Sequence, residues 1–362
     1  MLFKKTLISF FLIVTLSLQF VISGGSISPI LYQLIFNKNI ELKSTEYERI
    51  NVLLLGIAGG SHEGPNLSDT IIFASIDLSD PKITLVSIPR DLWLSDLDAK
   101  INTAYASGEA RKEGGGLILA KSAVSKITGQ PIDYTVVIDF SGFVEAVDLM
   151  GGLDIEVEKD IDDFEYPVAG REDDPCGNSP EELEALATAS SQLEAFPCRY
   201  EHLYFDKGLN QMDGETTLKF VRTRHATGNE GTDFARSQRQ EKVIRAFMNK
   251  AFSLGVLANP AKIIGFRGII DENINTDIEQ NEFDDFIKLA GKFKNAKIQS
   301  VIIDVGDKDT KRGGFLTNPP ITSEYNYQWV LIPRTGKNNF SEIQEFIRCR
   351  FVQVECIVSE IL

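Results

Sequence analysis

Apolar and polar positions follow two rhythms along the chain. Asn51–Leu55 is a continuous apolar run ending in glycine and predicts a buried strand. Asp69–Asp77 and Lys82–Ile88 predict two more strands, joined by a turn at Asp80-Pro81, and Gly56–Ser68 between the first two is a glycine-rich loop. Asn102–Gly108 and Leu117–Thr128 carry helical spacing, Tyr134–Asp139 reads as a strand, Gly142–Met150 as a helix and Leu153–Val157 as a strand. Strands alternating with helices place the chain in the α/β class and predict a layered sheet with helices on both faces. Asp160–Lys207 breaks the rhythm. It is acidic, holds Pro167, Pro175, Pro180 and Pro197, carries a helical patch near Glu181–Leu193, and reads as a surface insert. Beyond it, Asp213 is placed to cap a helix Gly214–Phe220, Val221–His225 reads as extended, and Asp233 is a fair N-cap for a helix running to Phe252. Pro260–Ile270 and Asp277–Phe293 predict helices, Ile298–Val305 and Gln328–Ile332 strands, and Ser341–Arg348 a last helix. Phe283, Phe286, Ile287 and Ala290 follow helical spacing and read as packing. Tyr325, Tyr327 and Trp329 alternate as on a half-buried strand, the alternative being a surface on which a sugar ring stacks.

The N-terminus adds a membrane. Lys4 and Lys5 precede an apolar run, Leu7–Ile22, a little short for a span of roughly 20 residues. A cleaved signal peptide and an uncleaved signal-anchor both fit. Ser23-Gly24-Gly25 is a weak cleavage site and Ile27–Phe36 is apolar again, which favours an anchor over residues 1–25 followed by a linker over 26–49. The lysines then stay in the cytoplasm and the rest of the chain is exported as a single-pass protein of the cell membrane. Four cysteines suit an oxidising compartment. The simplest pairing is local, Cys176 with Cys198 and Cys349 with Cys356, among three connectivities and the alternative of free thiols. No Cys/His spacing points to zinc.

Charge singles out one stretch. The 362 residues carry a net charge of -15, which argues against a general nucleic-acid binder. Against that balance, Leu218–Arg245 gathers Arg222, Arg224, Arg236, Arg239 and Arg245 with Lys219, His225 and Lys242. An extended Val221–His225 would point Arg222 and Arg224 to the same side. On the following helix Val243, Ile244, Phe247 and Met248 form the apolar stripe, and Arg236 and Gln240 lie on its line. Arg236 is therefore expected to point inward near a helix N-terminus, where a forked guanidinium suits phosphate. The alternative is a solvated face on which these arginines pair with carboxylates.

The motifs stand in a telling order: NVLLLG at Asn51–Gly56, SDTII at Ser68–Ile72, SIPRDLW at Ser87–Trp93 and KINTAYASG at Lys100–Gly108. They continue with Gly142-Phe143, GGLDIEV at Gly151–Val157, KGLNQMDGETTLKFVRTRH at Lys207–His225 and DFARSQRQ at Asp233–Gln240. Over Ile50–Phe252 the chain resembles the LytR–CpsA–Psr family of cell-envelope proteins. The resemblance implies a membrane-anchored α-β-α sandwich with a central mixed sheet and a catalytic domain at 50–252; the insert is placed at 160–207, and 253–362, beyond the matched stretch, is expected as an extension packed on or beside the core. It implies transfer of a glycopolymer, such as a teichoic acid or capsular polysaccharide, from a polyprenyl pyrophosphate carrier to peptidoglycan, with magnesium or another divalent cation. Matched motif by motif, Arg90, Arg222, Arg224, Arg236 and Gln240 fall on pyrophosphate-binding positions and Asp69 on a metal-binding carboxylate; Asp69, Arg90 and Arg224 form the implied catalytic set. Asp91 is read as orienting Arg90.

Two positions depart from the family pattern. Ala58 stands where many members carry the aspartate of Gly-x-Asp, and Leu67 where many carry an arginine before SDT. His62 and Glu63 lie in the loop between, and Glu63 is the expected source of a second metal oxygen or of a base. The same arginines and metal would equally serve a pyrophosphatase with water as acceptor, and a non-catalytic binder of lipid-linked polymer or peptidoglycan is the non-enzymatic alternative.

Overall fold

The apolar run at Asn51–Leu55 forms the middle of strand β1, Arg49–Ile57, at the heart of a six-stranded sheet. The computed structural model describes residues 40–44, 48–60, 64–186, 189, 191–251, 260–293, 296–307, 311–352 and 356. The expected membrane anchor and the loop residues His62 and Glu63 lie outside the described residues, among which no helix is long and apolar enough to cross a membrane. Strands β2, Ser68–Asp77, and β3, Lys82–Ser87, follow as a meander, antiparallel to one another, with β2 antiparallel to β1. Strands β4, Tyr134–Asp139, and β5, Ile274–Thr276, continue beyond β1, and β6, Lys297–Ile302, lies beside β3. The order is β5-β4-β1-β2-β3-β6; the β1–β4 and β3–β6 pairs are parallel and the others antiparallel, so the sheet is mixed as expected. Both edge strands come from the chain after Phe252.

Side chains alternate across the sheet, and each face has its own helices. Leu53, Leu55, Ile71, Phe73 and Val86 pack with helices α1, Thr103–Arg111, and α2, Gly115–Thr128, in one core. Helices α3, Phe140–Met150, α4, Gly214–Arg222, and α5, Asp233–Ala251, bury Val147, Met150, Phe220 and Val243 in a second core. Two polar contacts hold α5 across the other face of the sheet: Ser87 Oγ to Ser237 Oγ at 3.2 Å, and the Gln240 amide donating to Thr70 Oγ1 at 3.0 Å. Helices α6, Pro260–Asn273, α7, Phe283–Lys292, and α8, Ser341–Val352, complete the described set used below. Ile343 and Ile347 of α8 belong to the first core. Residues 40–43 and 278–293 form a separate small unit, in which a reciprocal Glu279/Glu282 cap precedes α7.

Several expectations are corrected. The helix expected from Asp277 begins at Phe283, because the Asp277 carboxylate accepts from Thr135 N at 2.7 Å and the chain there is not helical. Gln328–Ile332 is not a continuous strand; Asn326 and Tyr327 take positive φ of 52° and 55°, Leu331 makes a single parallel bridge to Leu92, and Ile332–Pro333 pairs with Leu316–Thr317. Tyr325 is therefore buried edge-on against Trp93 at 5.5 Å, while Tyr327 and Trp329 are exposed. The insert springs from an antiparallel ladder, Leu153–Val157 with Gly208–Met212, and contains a hairpin, Ile161–Pro167 with Tyr200–Phe205, that periodicity did not reveal. Both expected disulfides are present, Cys176–Cys198 and Cys349–Cys356.

Candidate active site

The site forms where β2 begins, β3 ends and α5 starts. Asp69 is the second residue of β2, and Arg90 follows the end of β3 through Pro89. Arg90 Nη1 donates to Asp69 Oδ1 at 2.5 Å. Burial alone would lower the Arg90 guanidinium; the hydrogen bond and charge of Asp69, with the charges of Asp91 and Asp233, more than offset it and hold its pKa above the ordinary value. Arg90 Nε is buried, makes no hydrogen bond and lies 3.5 Å from Asp91 Oδ2. Lys100 already occupies the other oxygen of Asp91 at 2.7 Å. Asn102 ties the two segments together: its N–H donates to the Arg90 carbonyl at 3.3 Å and its carbonyl accepts from Ser68 N at 3.0 Å. Its buried Oδ1 also lacks a partner. Two orphaned buried polar atoms at one place are costly without a ligand.

The basic stretch folds differently from its expected form. Asp213 caps α4 as anticipated, accepting from Thr216 N at 2.8 Å. The helix runs through Arg222, so Val221–His225 is not extended and Arg222 and Arg224 do not share a strand face. The Arg222 guanidinium lies 4.4 Å over the Phe140 ring and donates to the Tyr166 hydroxyl at 3.3 Å. Thr232, not Asp233, caps α5, its Oγ1 accepting from Ala235 N at 3.1 Å. That leaves the Asp233 carboxylate for Arg236 Nη2 at 3.1 Å and Arg224 Nε at 4.0 Å.

Arg236 points inward as expected, its side chain 11% exposed. Its pKa is lowered, first by burial; the charge of Asp233 opposes this, nearby Arg224 and Arg90 lower it further, and Asp69 opposes again. Arg90, Arg224 and Arg236 thus share one field with Asp69 and Asp233. Arg239, one turn on, is a structural clasp. It donates to the carbonyls of Phe220 at 3.0 Å, Glu230 at 2.9 Å and Thr223 at 2.5 Å, and burial pushes its pKa down to about 10. It ties the end of α4 to α5 and so fixes the turn that carries Arg224. Neither role leaves a local signal in the sequence, where Arg239 is one cation among several and Asn102 one residue of KINTAYASG.

The residues for a cation are few. Asp69 is about two-fifths exposed beside the arginines, and magnesium is commonly held by one or two carboxylates with the remaining positions filled by phosphate and water. Asp69 fits that pattern. Among the described residues the one cluster of three ligand-type groups is Asp174, Cys176 and Cys198, whose sulfurs are spent in the disulfide. The departure at Ala58 is accompanied by a close approach: Gly59, at φ 70°, sits where a Cβ would come within 2.6 Å of Asp139 Cβ, so the loop after β1 folds down on the end of β4.

Fold and site together define an α/β protein with a cluster of arginines and carboxylates at one end of its central sheet. A model of the LytR_cpsA_psr family matches residues 32–319, and the chain belongs to that family. It is 27% identical over 266 residues to the polyisoprenyl-teichoic acid–peptidoglycan teichoic acid transferase TagU of Enterococcus faecalis, covering 72% of this chain and 71% of that one. It is 24% identical over 278 residues to the corresponding transferase TagV of Bacillus subtilis, covering 75% and 60%. The crystal structure of B. subtilis TagV superposes with a TM-score of 0.53 at 23% identity, over 84% of this chain and 97% of that one, and so shares the fold.

Proposed function

We propose that this chain is a phosphotransferase that moves a glycopolymer from a polyprenyl pyrophosphate carrier to peptidoglycan. The carrying observation is the gathering of Arg90, Arg224 and Arg236 around Asp69 and Asp233. The names of the family relatives support the same reading. A hydroxyl of the acceptor sugar attacks the phosphorus nearest the polymer sugar. The bond from that phosphorus to the bridging oxygen breaks, polyprenyl phosphate leaves, and the hydroxyl proton ends on the departing phosphate. Arg90 and Arg236 bind the pyrophosphate and offset the charge that grows on the bridging oxygen. Arg224, more exposed, faces the outer phosphate. Gln240, oriented by Thr70, supplies an uncharged donor, and Arg222 completes the set, fixed by Phe140 and Tyr166. A divalent cation, magnesium by the donor set, would be held at Asp69 and supply further charge neutralisation; Glu63 is proposed as its second carboxylate. The lysine-led run at Leu7–Ile22 is proposed as the anchor that holds the domain outside the cell membrane, beside its lipid-linked substrate.

The test incubates the full chain in detergent with a polyprenyl-pyrophosphate-linked sugar and magnesium, with and without peptidoglycan fragments. Sugar phosphate joined to glycan supports transfer. Cleavage that ignores the acceptor identifies a pyrophosphatase instead, and binding without turnover overturns the enzymatic reading.

A further inference from the structure

The insert carries a surface that the anion pocket does not use. In the hairpin Ile161–Pro167 with Tyr200–Phe205, Ile161, Asp163, Tyr166 and Phe205 are buried. The opposite face turns outward with Phe164 and Tyr204, 46% and 50% exposed, and His202 between them. The Phe164 and His202 rings stack face to face with centroids 4.1 Å apart and planes within 1°; His202 and Tyr204 lie 6.5 Å apart. Exposed aromatic area of this kind contributes little to folding and marks a contact surface. Its rim is acidic. His202 Nε2 is 2.6 Å from Asp162 Oδ1. The Tyr204 phenol is held above its ordinary pKa, first by Asp160, then by partial burial, Asp206 and Asp162.

The hairpin is fastened to the chain that carries Arg224. Thr227 N donates to the Asp162 carbonyl at 2.8 Å, His225 N to Asp163 Oδ2 at 3.3 Å, and Arg222 to the Tyr166 hydroxyl at 3.3 Å. The Cys176–Cys198 bond closes the connection between the two strands. The strip is therefore rigidly continuous with the arginine turn.

We propose that Phe164, His202 and Tyr204 form a docking platform for the glycan strand of the peptidoglycan acceptor. Pyranose rings present flat C–H faces to aromatic rings, while their hydroxyl and acetamido N–H groups donate to carboxylates at the edge. The acidic rim selects the occupant: it repels a phosphate-bearing polymer and an anionic lipid surface, and accepts an uncharged sugar chain. The inference rests on the acceptor assigned above and deepens it.

The experiment titrates the full chain in detergent with the uncharged N-acetylglucosamine tetramer, followed by calorimetry. Wild type binds saturably. A Phe164→Ala/Tyr204→Ala double variant, with an unchanged unfolding midpoint, binds about tenfold more weakly, a loss of roughly 1.4 kcal/mol. Tyr204→Phe, which keeps the ring, binds nearly as wild type. Polyprenyl pyrophosphate binding is the same in all three, and in transfer assays the double variant raises KM for peptidoglycan with little change in kcat. Failure of wild type to bind glycan, equal binding by the double variant, or preference for poly(glycerol phosphate) at this strip overturns the platform. Glycan binding that follows the expected pattern without any transfer supports the platform and removes the phosphotransferase reading instead.

Discussion

At the scale of single residues, the partly exposed Arg90 and the buried Arg239 serve one site differently. Arg90 spends one nitrogen on Asp69 and turns its buried Nε toward Asp91 at 3.5 Å, while its side chain stays partly exposed. Arg90→Lys keeps the charge and removes the fork. The expected outcome is a fall in kcat of roughly a hundredfold or more, with a folded protein, read in the transfer assay. Arg239 donates three hydrogen bonds to backbone carbonyls and pairs with the Glu230 carboxylate at 3.6 Å. Arg239→Ala strands those carbonyls in a buried turn and is expected to cost about 3 kcal/mol by urea unfolding. Asp213 gives a pH signature. Its pKa is lowered, first by the Thr216 side chain and then by the Thr216 N–H. A depressed carboxylate stabilises the fold above its unfolded pKa and loses that contribution as pH falls through the folded value. Asp213→Ala should therefore cost about 1 kcal/mol at neutral pH, with the gap to wild type closing in acid well below the ordinary aspartate pKa.

At the scale of elements, legibility followed burial. Leu153–Val157 was readable to the residue because its apolar positions are buried and alternate strictly with exposed acids, and Tyr134–Asp139 because its apolar run is continuous. The Ile161–Pro167 hairpin was not, because its pattern is inverted: Asp163 is fully buried, satisfied by the N–H groups of Glu165 and His225, while Phe164 faces water. An α/β reading assigns an acidic stretch with an outward aromatic to loop. The arginine turn misled for a related reason. Val221–His225 has strand-like alternation, yet Arg239 gathers the Phe220 and Thr223 carbonyls and holds the chain at a helix end. Such three-way capping by a residue far along the chain leaves no local trace. The cysteines were legible because each pair is close in sequence, 22 and 7 residues apart. The first closes the hairpin's loop, and Cys176→Ser/Cys198→Ser is expected to cost about 3 kcal/mol in the oxidised protein. Limited proteolysis should then cut within residues 168–199 first and leave the sheet intact.

At the scale of the whole molecule, the acidic protein gathers Arg90, Arg224 and Arg236 at one place, the proposed pyrophosphate site. Three arginines around two carboxylates would repel one another if those carboxylates were not present, and the Arg90–Asp69 and Arg236–Asp233 pairs balance the pocket before any ligand arrives. This separates folding from catalysis. A cation at Asp69 is not required to neutralise a buried cluster of acids, since Asp69 already has a guanidinium partner and stands partly in water. Removing divalent ions with a chelator should therefore leave the unfolding midpoint unchanged within error, because a ligand stabilises only in proportion to its preferential binding to the folded state. Transfer should nevertheless fall to background, since the charge on the paired phosphates then lacks its counterion at the moment the bridging bond breaks. Restoring magnesium should restore turnover. Asp69→Asn, which loses both the ion pair and the carboxylate, should not be rescued at any magnesium concentration, and turnover in chelator equal to that in magnesium would place the chemistry on the arginines alone.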